Sequence, residues 1–376
     1  MEQSITFVAL DTHRDTITGA SLPPGSERPT DIRTLVNDVP RLLKWLRRVE
    51  RKYGEIRVCY EASGAGYVLQ RELEAHGIRC EVVAPSLIPK RPGDRKKTDR
   101  RDAEHLAIQY RAGGLTMVSV PDREDEAVRA LLRCRRAQTK DMLRARHQVL
   151  KHLRRNGLVF RGTRNNWTQA HWAWLERVEL EHRAEQVVFR MHLEKLRYLM
   201  AQRDEVDEEI SAVAFSEAYL ERADRLMCFK GFSVYGSMGL VSEIGDFRRF
   251  PTAQAFMDYV GLVPTEHSSG ETVRRGGITK TGNSHCRHIL IQASWAIVQS
   301  QPRVVNRLRA QWDGRPPWLV ALALRAMKRL YGRFRYLTNR GKLRQVAIVA
   351  VARELAGFVW AAMQDHEGAQ RASRVA

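Results

Sequence analysis

Cysteine is scarce and scattered in this chain. Cys59, Cys80, Cys134, Cys228 and Cys286 are the only five in 376 residues, and no two form a Cys-x-x-Cys pair. That excludes a zinc ribbon or a disulfide framework and fits a reducing cytoplasm. Long apolar runs are lacking too. The longest, Val346 to Met363, is broken by Arg353 and Glu354, so it reads as a buried helix and no membrane partner is expected. The opening Met-Glu-Gln-Ser-Ile has neither a basic start nor an apolar core, so no signal peptide is expected. Acidic residues are outnumbered: 43 Asp and Glu face 63 Lys and Arg, a formal charge of +20. An excess of this size implies a polyanionic partner, because each cation that neutralises a phosphate releases condensed counterions. Zinc-finger, RRM and KH patterns are missing as well. Basic surface without a sequence-reading helix is natural where base pairing supplies the specificity.

What is present reads as a folded protein. Apolar residues make up 43% of a chain long enough for two or three domains with real cores. Residues 1 to about 120 alternate strand and helix patterns, with strands near 4–10, 15–21, 56–60, 80–84 and 116–120 and helices near 38–52 and 64–76. Such alternation indicates an α/β sheet with helices packed on it. A hairpin at Thr12-His13-Arg14-Asp15 makes the sheet mixed. From Arg123 the pattern turns helical. Phe189, Leu193, Leu196, Met200, Val206, Ile210 and Val213 keep three-and-four spacing, which suits a coiled coil or helical hairpin, and hence a subunit contact, as well as a helix packed on its own domain. A mainly helical region with a Gly/Ser/Thr-rich loop at 261–284 follows. The fold class is thus α/β plus α, in segments 1–122, 123–222 and 223–376.

Four carboxylates stand where a metal site would want them. Asp11 closes the apolar run Ile5 to Leu10, and Glu61 closes Ile56 to Tyr60. Asp99 and Asp102 lie three apart at a helix start, so both project from one face. Hard oxygen ligands converging from strand ends and a helix start suit Mg²⁺, with Mn²⁺ as the alternative, and a two-metal site is the usual machinery of phosphodiester displacement. Each residue alone also has a plain structural reading: strand end, helix cap or N-cap. His285 and His288, three apart on a helix with no third ligand nearby, read as polar helix residues.

Basic residues cluster in three places. Lys90, Arg91, Arg95, Lys96, Lys97, Arg100 and Arg101 surround the Asp99/Asp102 pair. Arg129, Arg133, Arg136, Lys140 and Arg144 form a helix stripe. Residues 314–353 hold ten Lys or Arg and no Asp or Glu, with Tyr331, Phe334 and Tyr336 interleaved. All three suit a nucleic-acid backbone, and the aromatics permit stacking; a solvated charged face is the plainer alternative. Trp167, Trp172 and Trp174 allow stacking too, though packing is their commoner use. A second centre is the loop Gly261 to Gly270 with Ser268 and Ser269, followed by Arg274, Arg275 and Lys280. A serine there can approach a phosphate whose developing charge the cations neutralise. A Ser-Gly turn is its structural reading.

The set Asp11, Tyr60-Glu61-Ala-Ser-Gly and Lys97-Thr-Asp99-Arg-Arg-Asp102-Ala resembles the N-terminal domain of the DEDD transposases of bacterial insertion sequences, the "one-ten" family. Ser242-Glu-Ile-Gly-Asp-Phe-Arg-Arg-Phe250, Gly261-Leu-Val-Pro264, Ser269-Gly270, Ile278-Thr-Lys-Thr-Gly-Asn283 and Asn339-Arg-Gly-Lys342 are similar to its C-terminal domain. The resemblance implies a RuvC-like, RNase H-fold N-terminal domain whose carboxylates Asp11, Glu61, Asp99 and Asp102 bind Mg²⁺. It further implies an RNA-guided recombinase acting on donor and target DNA through a phosphoserine intermediate, with Ser269 as nucleophile and Ser268 beside it. A bridge RNA, a dimer or dimer of dimers, and a nucleoid-associated place in the bacterial cytoplasm follow from the same likeness. The alternative is a RuvC-like nuclease in which water attacks. The family's Pro-Gly-Ile-Gly stretch, resembling a helix-hairpin-helix DNA contact, is replaced here by Phe229-Lys-Gly-Phe-Ser-Val-Tyr-Gly236, which keeps the turn glycine Gly231.

Overall fold

A computed structural model describes residues 5–89, 98–269 and 272–364, with backbone alone at 267–269, 272–273, 275 and 307. Lys90, Arg91, Arg95, Lys96 and Lys97 lie outside the described residues. The chain divides into two compact units, residues 1–121 and 122–376.

The first unit runs β1 (Thr6–Thr12), β2 (Thr16–Leu22), β3 (Asp31–Val36), α1 (Val39–Tyr53), β4 (Ile56–Glu61), α2 (Val68–Ala75), β5 (Cys80–Val83), α3 (Asp99–Arg111) and β6 (Met117–Val118). The strands form one sheet in the order β3-β2-β1-β4-β5-β6. β1 pairs parallel with β4 and β4 with β5, and the other pairs are antiparallel. This is the mixed sheet expected of a RuvC-like domain. Alternation along the strands sends residues to two faces. Val8, Leu10, Val58 and Tyr60 pack with Leu42, Trp45, Leu46 and Val49 of α1. Ala9, Ala20, Leu22, Cys59 and Val83 face Ala103, Leu106, Ala107 and Tyr110 of α3. The helix on the first face comes close because Gly19 has no side chain: a Cβ there would collide with the Trp45 ring. The edge strand β3 is an addition to the sequence reading. It is half-exposed and carries Asp31 and Arg33, so it lacks the apolar alternation of an inner strand.

The second unit holds α4 (Arg123–Arg155), α5 (Gln169–Leu175), α6 (Arg183–Ala214), α7 (Leu220–Met227), α8 (Val234–Ile244), α9 (Ala253–Tyr259), β7 (Pro264–Ser269), β8 (Thr272–Ile278), α10 (Ser284–Val298), α11 (Asn306–Trp312), α12 (Pro317–Asn339) and α13 (Arg344–Ala362). α4 and α6 run antiparallel as a long hairpin. Arg135 grips Asp207 with two hydrogen bonds of 2.8 and 3.1 Å, and further along His152 Nε2 meets the Glu185 carbonyl at 3.0 Å. One end of the hairpin, with Val128, Leu132, Ile210 and Ala214, belongs to the main core of the unit. The other end builds a separate core from Met142, Val149, Leu153, Phe189 and Leu196. Trp167, Trp172 and Trp174 pack against that second core, the structural use of these rings.

Two features of this unit refine the sequence reading. The Gly/Ser/Thr-rich stretch is a β-hairpin, β7 pairing antiparallel with β8. The helix α13 is long and apolar enough to cross a membrane, yet Ile348, Val351, Leu355, Ala356 and Val359 are buried in the main core. Between α7 and α8 the turn passes through Gly231 at φ +99°, where a Cβ would strike the Ala293 carbonyl. Only glycine fits both conditions.

Candidate active site

The carboxylate site grows out of the pairing of β1 with β4. Leu10 lies opposite Tyr60 in parallel register, so the next residues, Asp11 and Glu61, end neighbouring strands. Alternation from Ala9 and Cys59 puts both on the face that α3 covers. On α3, Asp99 and Asp102 continue the stripe of Ala103, Leu106 and Tyr110 that packs on the sheet. Thr98 starts this helix by accepting a hydrogen bond from the Arg101 backbone N–H, and the positive end of the helix dipole suits two aspartates in the first turn. Four acidic groups are thus delivered to one end of the sheet by three elements. Glu61 and Asp99 are exposed, and Asp11 and Asp102 are half-buried.

His13, part of the expected hairpin turn, joins them. Its Nε2 lies 3.4 Å from Asp11 Oδ2 and 3.4 Å from Asp99 Oδ1. The signal was available: two residues beyond Asp11, a side chain in extended backbone returns to the same face. Ligand atoms of Asp11, His13 and Asp99 all lie within 4.8 Å of one another, close enough to share one ion. The electrostatics agree. Burial raises the Asp11 carboxyl above its ordinary range, His13 opposes the rise, and the charges of Asp99 and Asp102 add to it. Like charges held together in this way are relieved by a divalent cation, and carboxylates with one imidazole are an ordinary donor set for one.

The serine hairpin is built in the second unit. Ser269 ends β7 opposite Thr272, and Ser268 faces Val273. The base of the hairpin is held firmly. Thr279 N–H donates to Val263 O at 2.9 Å and Lys280 N–H to Gly261 O at 3.2 Å. Arg287 Nη1 donates to the carbonyls of Val260 and Thr281 at 2.8 and 2.9 Å. Gly282, at φ +67°, closes the base where a Cβ would run into the Tyr259 carbonyl. Asn283 then starts α10. Its Oδ1 accepts from the N–H groups of His285 and Cys286 at 2.9 and 3.1 Å, while its Nδ2 donates to Glu243 Oε2 at 2.9 Å.

Glu243 is a buried carboxylate with many partners. Arg133 donates to both its oxygens at 3.1 and 3.2 Å, and His285 Nδ1 stands 3.6 Å away. Burial alone would raise this carboxyl; His285, Arg133, Asn283 and Arg129 outweigh it and bring it down to about 2. His285 also shares a hydrogen bond of 3.2 Å with the Tyr235 hydroxyl. Among the described residues, His285 and His288 belong to no metal-binding group.

The basic stripe of α4 needs one correction. Arg129 turns inward, is buried, and donates from Nε to Ser242 O at 2.5 Å, because α8 packs against that turn of α4. Arg133 divides its role: its head serves Glu243, yet 63% of its side chain stays accessible. Arg136 is half-buried, and Lys140 and Arg144 are exposed. Elsewhere Arg100 is exposed and pairs with Glu104, Arg101 is exposed, and Arg274 and Lys280 are exposed beside the serine hairpin. The side chain of Arg275 lies outside the described atoms.

Comparison with known proteins covers both centres. A family model for DEDD transposases, described as Transposase, matches residues 8–156, and that of the Transposase IS116/IS110/IS902 family matches residues 223–309. The chain is similar to a putative transposase of Sinorhizobium fredii, y4qE, with 37% identity across 84% of this chain and 77% of that one. It is similar also to the transposase of insertion sequence IS1533 from Leptospira borgpetersenii, 30% identical over 89% of this chain and 97% of the relative. The transposase of IS1111A from Coxiella burnetii shares 26% over 82% and 78%. The first match covers Asp11, Glu61, Asp99 and Asp102, and the second covers the serine hairpin. With a mixed sheet that ends in acidic groups and relatives aligned along most of its length, this chain belongs to the IS110 family of DEDD transposases of insertion sequences.

Proposed function

We propose that this transposase cuts and rejoins DNA through a phosphoserine intermediate on Ser269, with Asp11, Glu61, Asp99 and Asp102 holding Mg²⁺ (or Mn²⁺). The carrying observation is the convergence of Asp11, His13 and Asp99 within reach of a single ion. A divalent cation held there supplies Lewis acidity and stabilises charge on the scissile phosphate. The residues do the rest. Ser269 Oγ attacks phosphorus; a P–O bond to serine forms as the bond to the deoxyribose oxygen breaks, and that oxygen leaves with a proton. In the reverse sense a DNA hydroxyl attacks the phosphoserine, so the number of phosphodiesters is conserved and no nucleotide cofactor is needed. Arg274, Arg275 and Lys280 neutralise the pentavalent transition state.

The two centres belong to different units, and the reading requires them to meet in the assembled complex. The helical segment 123–222 then serves assembly, as a dimer or dimer of dimers, while 1–122 and 223–376 carry the carboxylates and the serine. A structured bridge RNA pairs with donor and target DNA, in keeping with a charge of +20. Lys90, Arg91, Arg95, Lys96, Lys97, Arg100, Arg101, Arg133, Arg136, Lys140 and Arg144 supply backbone contacts.

The test is a denaturing gel of end-labelled DNA incubated with protein, Mg²⁺ and the element's own RNA. A protein-linked DNA band is expected from wild type and from neither Ser269→Ala nor Asp11→Ala. Cleavage that persists in Ser269→Ala without an adduct would establish the hydrolytic alternative, with water as nucleophile. An adduct retained by Ser269→Ala and lost by Ser268→Ala would move the nucleophile one residue.

A further inference from the structure

The corner between α12 and α13 presents a surface that neither the carboxylates nor the serine uses. The buried face of α12 is apolar, with Leu319, Leu322, Ala326, Leu330 and Phe334 in the core. Its outer face carries Arg325, Lys328 and Arg335, spaced three and seven residues apart, with Tyr336 next to Arg335, all exposed along one side of the helix. Every residue from Asn339 to Val346 is exposed as well, including Arg340 and Lys342. The segment 314–353 contains no acidic residue to balance them, although Glu354 takes Arg329 and Arg333 as partners at 3.1 Å each.

Tyr336 sits at the centre of this surface. It is 47% accessible, and the guanidinium groups of Arg340 and Arg333 lie over its ring at 4.6 and 5.7 Å from the centroid. The cations are attracted to the ring face, and an accessible aromatic face among cations is also the platform on which an unpaired base stacks. One turn earlier on the same face stands Gly332, in the middle of a 23-residue helix. Glycine weakens a helix interior, and here nothing demands it: a Cβ at 332 would meet no atom within 4 Å. Helical side chains lean toward the preceding turn, so this glycine keeps clear the space beside the ring.

We propose that this corner binds a single nucleic-acid strand, with an unpaired base stacked on Tyr336 and its flanking phosphates on Arg335, Arg340 and Lys342. A base that settles on the ring displaces a guanidinium from it, and the released cation meets the adjoining phosphate. A duplex, whose bases are already stacked on one another, gains only the phosphate contacts. The site goes beyond the cleavage chemistry, and strand binding here is expected to survive loss of Ser269 or Asp11.

Fluorescence anisotropy of the full chain with a labelled thymidine strand of about a dozen nucleotides tests the idea, against a duplex of equal length. Tyr336→Ala is expected to weaken strand binding roughly 5- to 100-fold and Tyr336→Phe by less than about two-fold, with duplex affinity unchanged in both. Irradiation of a strand carrying 5-iodouracil should cross-link the base to the peptide that contains Tyr336. The proposal is overturned if Tyr336→Ala binds the strand as tightly as wild type, or weakens strand and duplex alike. It is overturned too if the substitution changes the oligomeric state by light scattering in place of strand affinity, which would make the corner a subunit contact. Circular dichroism confirms that each variant is folded.

Discussion

The two units treat carboxylates in opposite ways. In the first, Asp11 is held beside Asp99 and Asp102 with one imidazole between them, and its pKa is raised by burial and by its neighbours. In the second, Glu243 is buried among Arg133, Arg129, Asn283 and His285, and its pKa falls to about 2. Their surroundings raise the one carboxyl and lower the other. Acidic groups that raise one another's pKa are eased by a divalent cation, whereas a carboxylate held by cations and amides acts as part of the framework. The difference separates a site from a strut better than residue type does, since both clusters contain acid and histidine.

The largest effects are expected from changes at the carboxylates. Asp11→Ala should lower strand cleavage by roughly 100-fold or more while leaving the melting temperature in metal-free buffer unchanged or slightly raised, because a repulsive charge is removed. Calorimetry with and without Mg²⁺ checks both halves: the wild type should gain stability from the ion and the variant should not.

Glu243 should behave in the contrary sense. Glu243→Ala strands Arg129, Arg133 and the Asn283 amide, and is expected to cost about 2–3 kcal/mol, less than a fully buried pair because Arg133 is largely solvated. The pH dependence follows from the lowered pKa. The contribution of Glu243 is complete above its unfolded value of 4.5 and is lost as pH falls through its folded value near 2. Urea titrations across that window should show an acid limb that is shallower in the variant. A steeper limb in Glu243→Ala would contradict the strut.

Smaller effects sharpen the picture of how the framework carries the serine. Gly282→Ala forces a Cβ toward the Tyr259 carbonyl at positive φ and should cost roughly 2 kcal/mol, with adduct formation falling more than DNA binding. Tyr219→Phe removes a buried hydroxyl that donates to Asp125 Oδ1 at 2.7 Å, a loss of about 1–2 kcal/mol with cleavage unaffected. Chemical denaturation measures both.

Much of the first unit is legible in the sequence because β1 and β4 are short apolar runs that lead to an acid, and α1 and α3 start at the capping side chains Asp38 and Thr98. Asp11 and Glu61 are visible as run-ending carboxylates, and Asp99 and Asp102 by their spacing behind Thr98. His13 escapes because its meaning depends on α3 folding back over β1, a long-range event that no local pattern encodes. β3 escapes because an edge strand needs no alternation. In the second unit the serine stretch reads as a loop, since glycine and threonine dominate it and only cross-strand pairing makes it a hairpin. Arg129 is misread for the opposite reason: the helix stripe is real, but its inward turn is decided by where α8 packs.

The α4–α6 hairpin also sets a length. At 1.5 Å per residue, arms of 33 and 32 residues extend about 50 Å, the rise of roughly 15 base pairs of duplex at 3.4 Å each. One end is fixed in the main core and the other carries its own small core with the tryptophans, so the arm has an anchored base and a finished tip. Adding or removing one heptad in both arms would move that tip by about 10 Å without disturbing either core. Arm length is therefore a property that evolution, or an engineer, can adjust separately from either core.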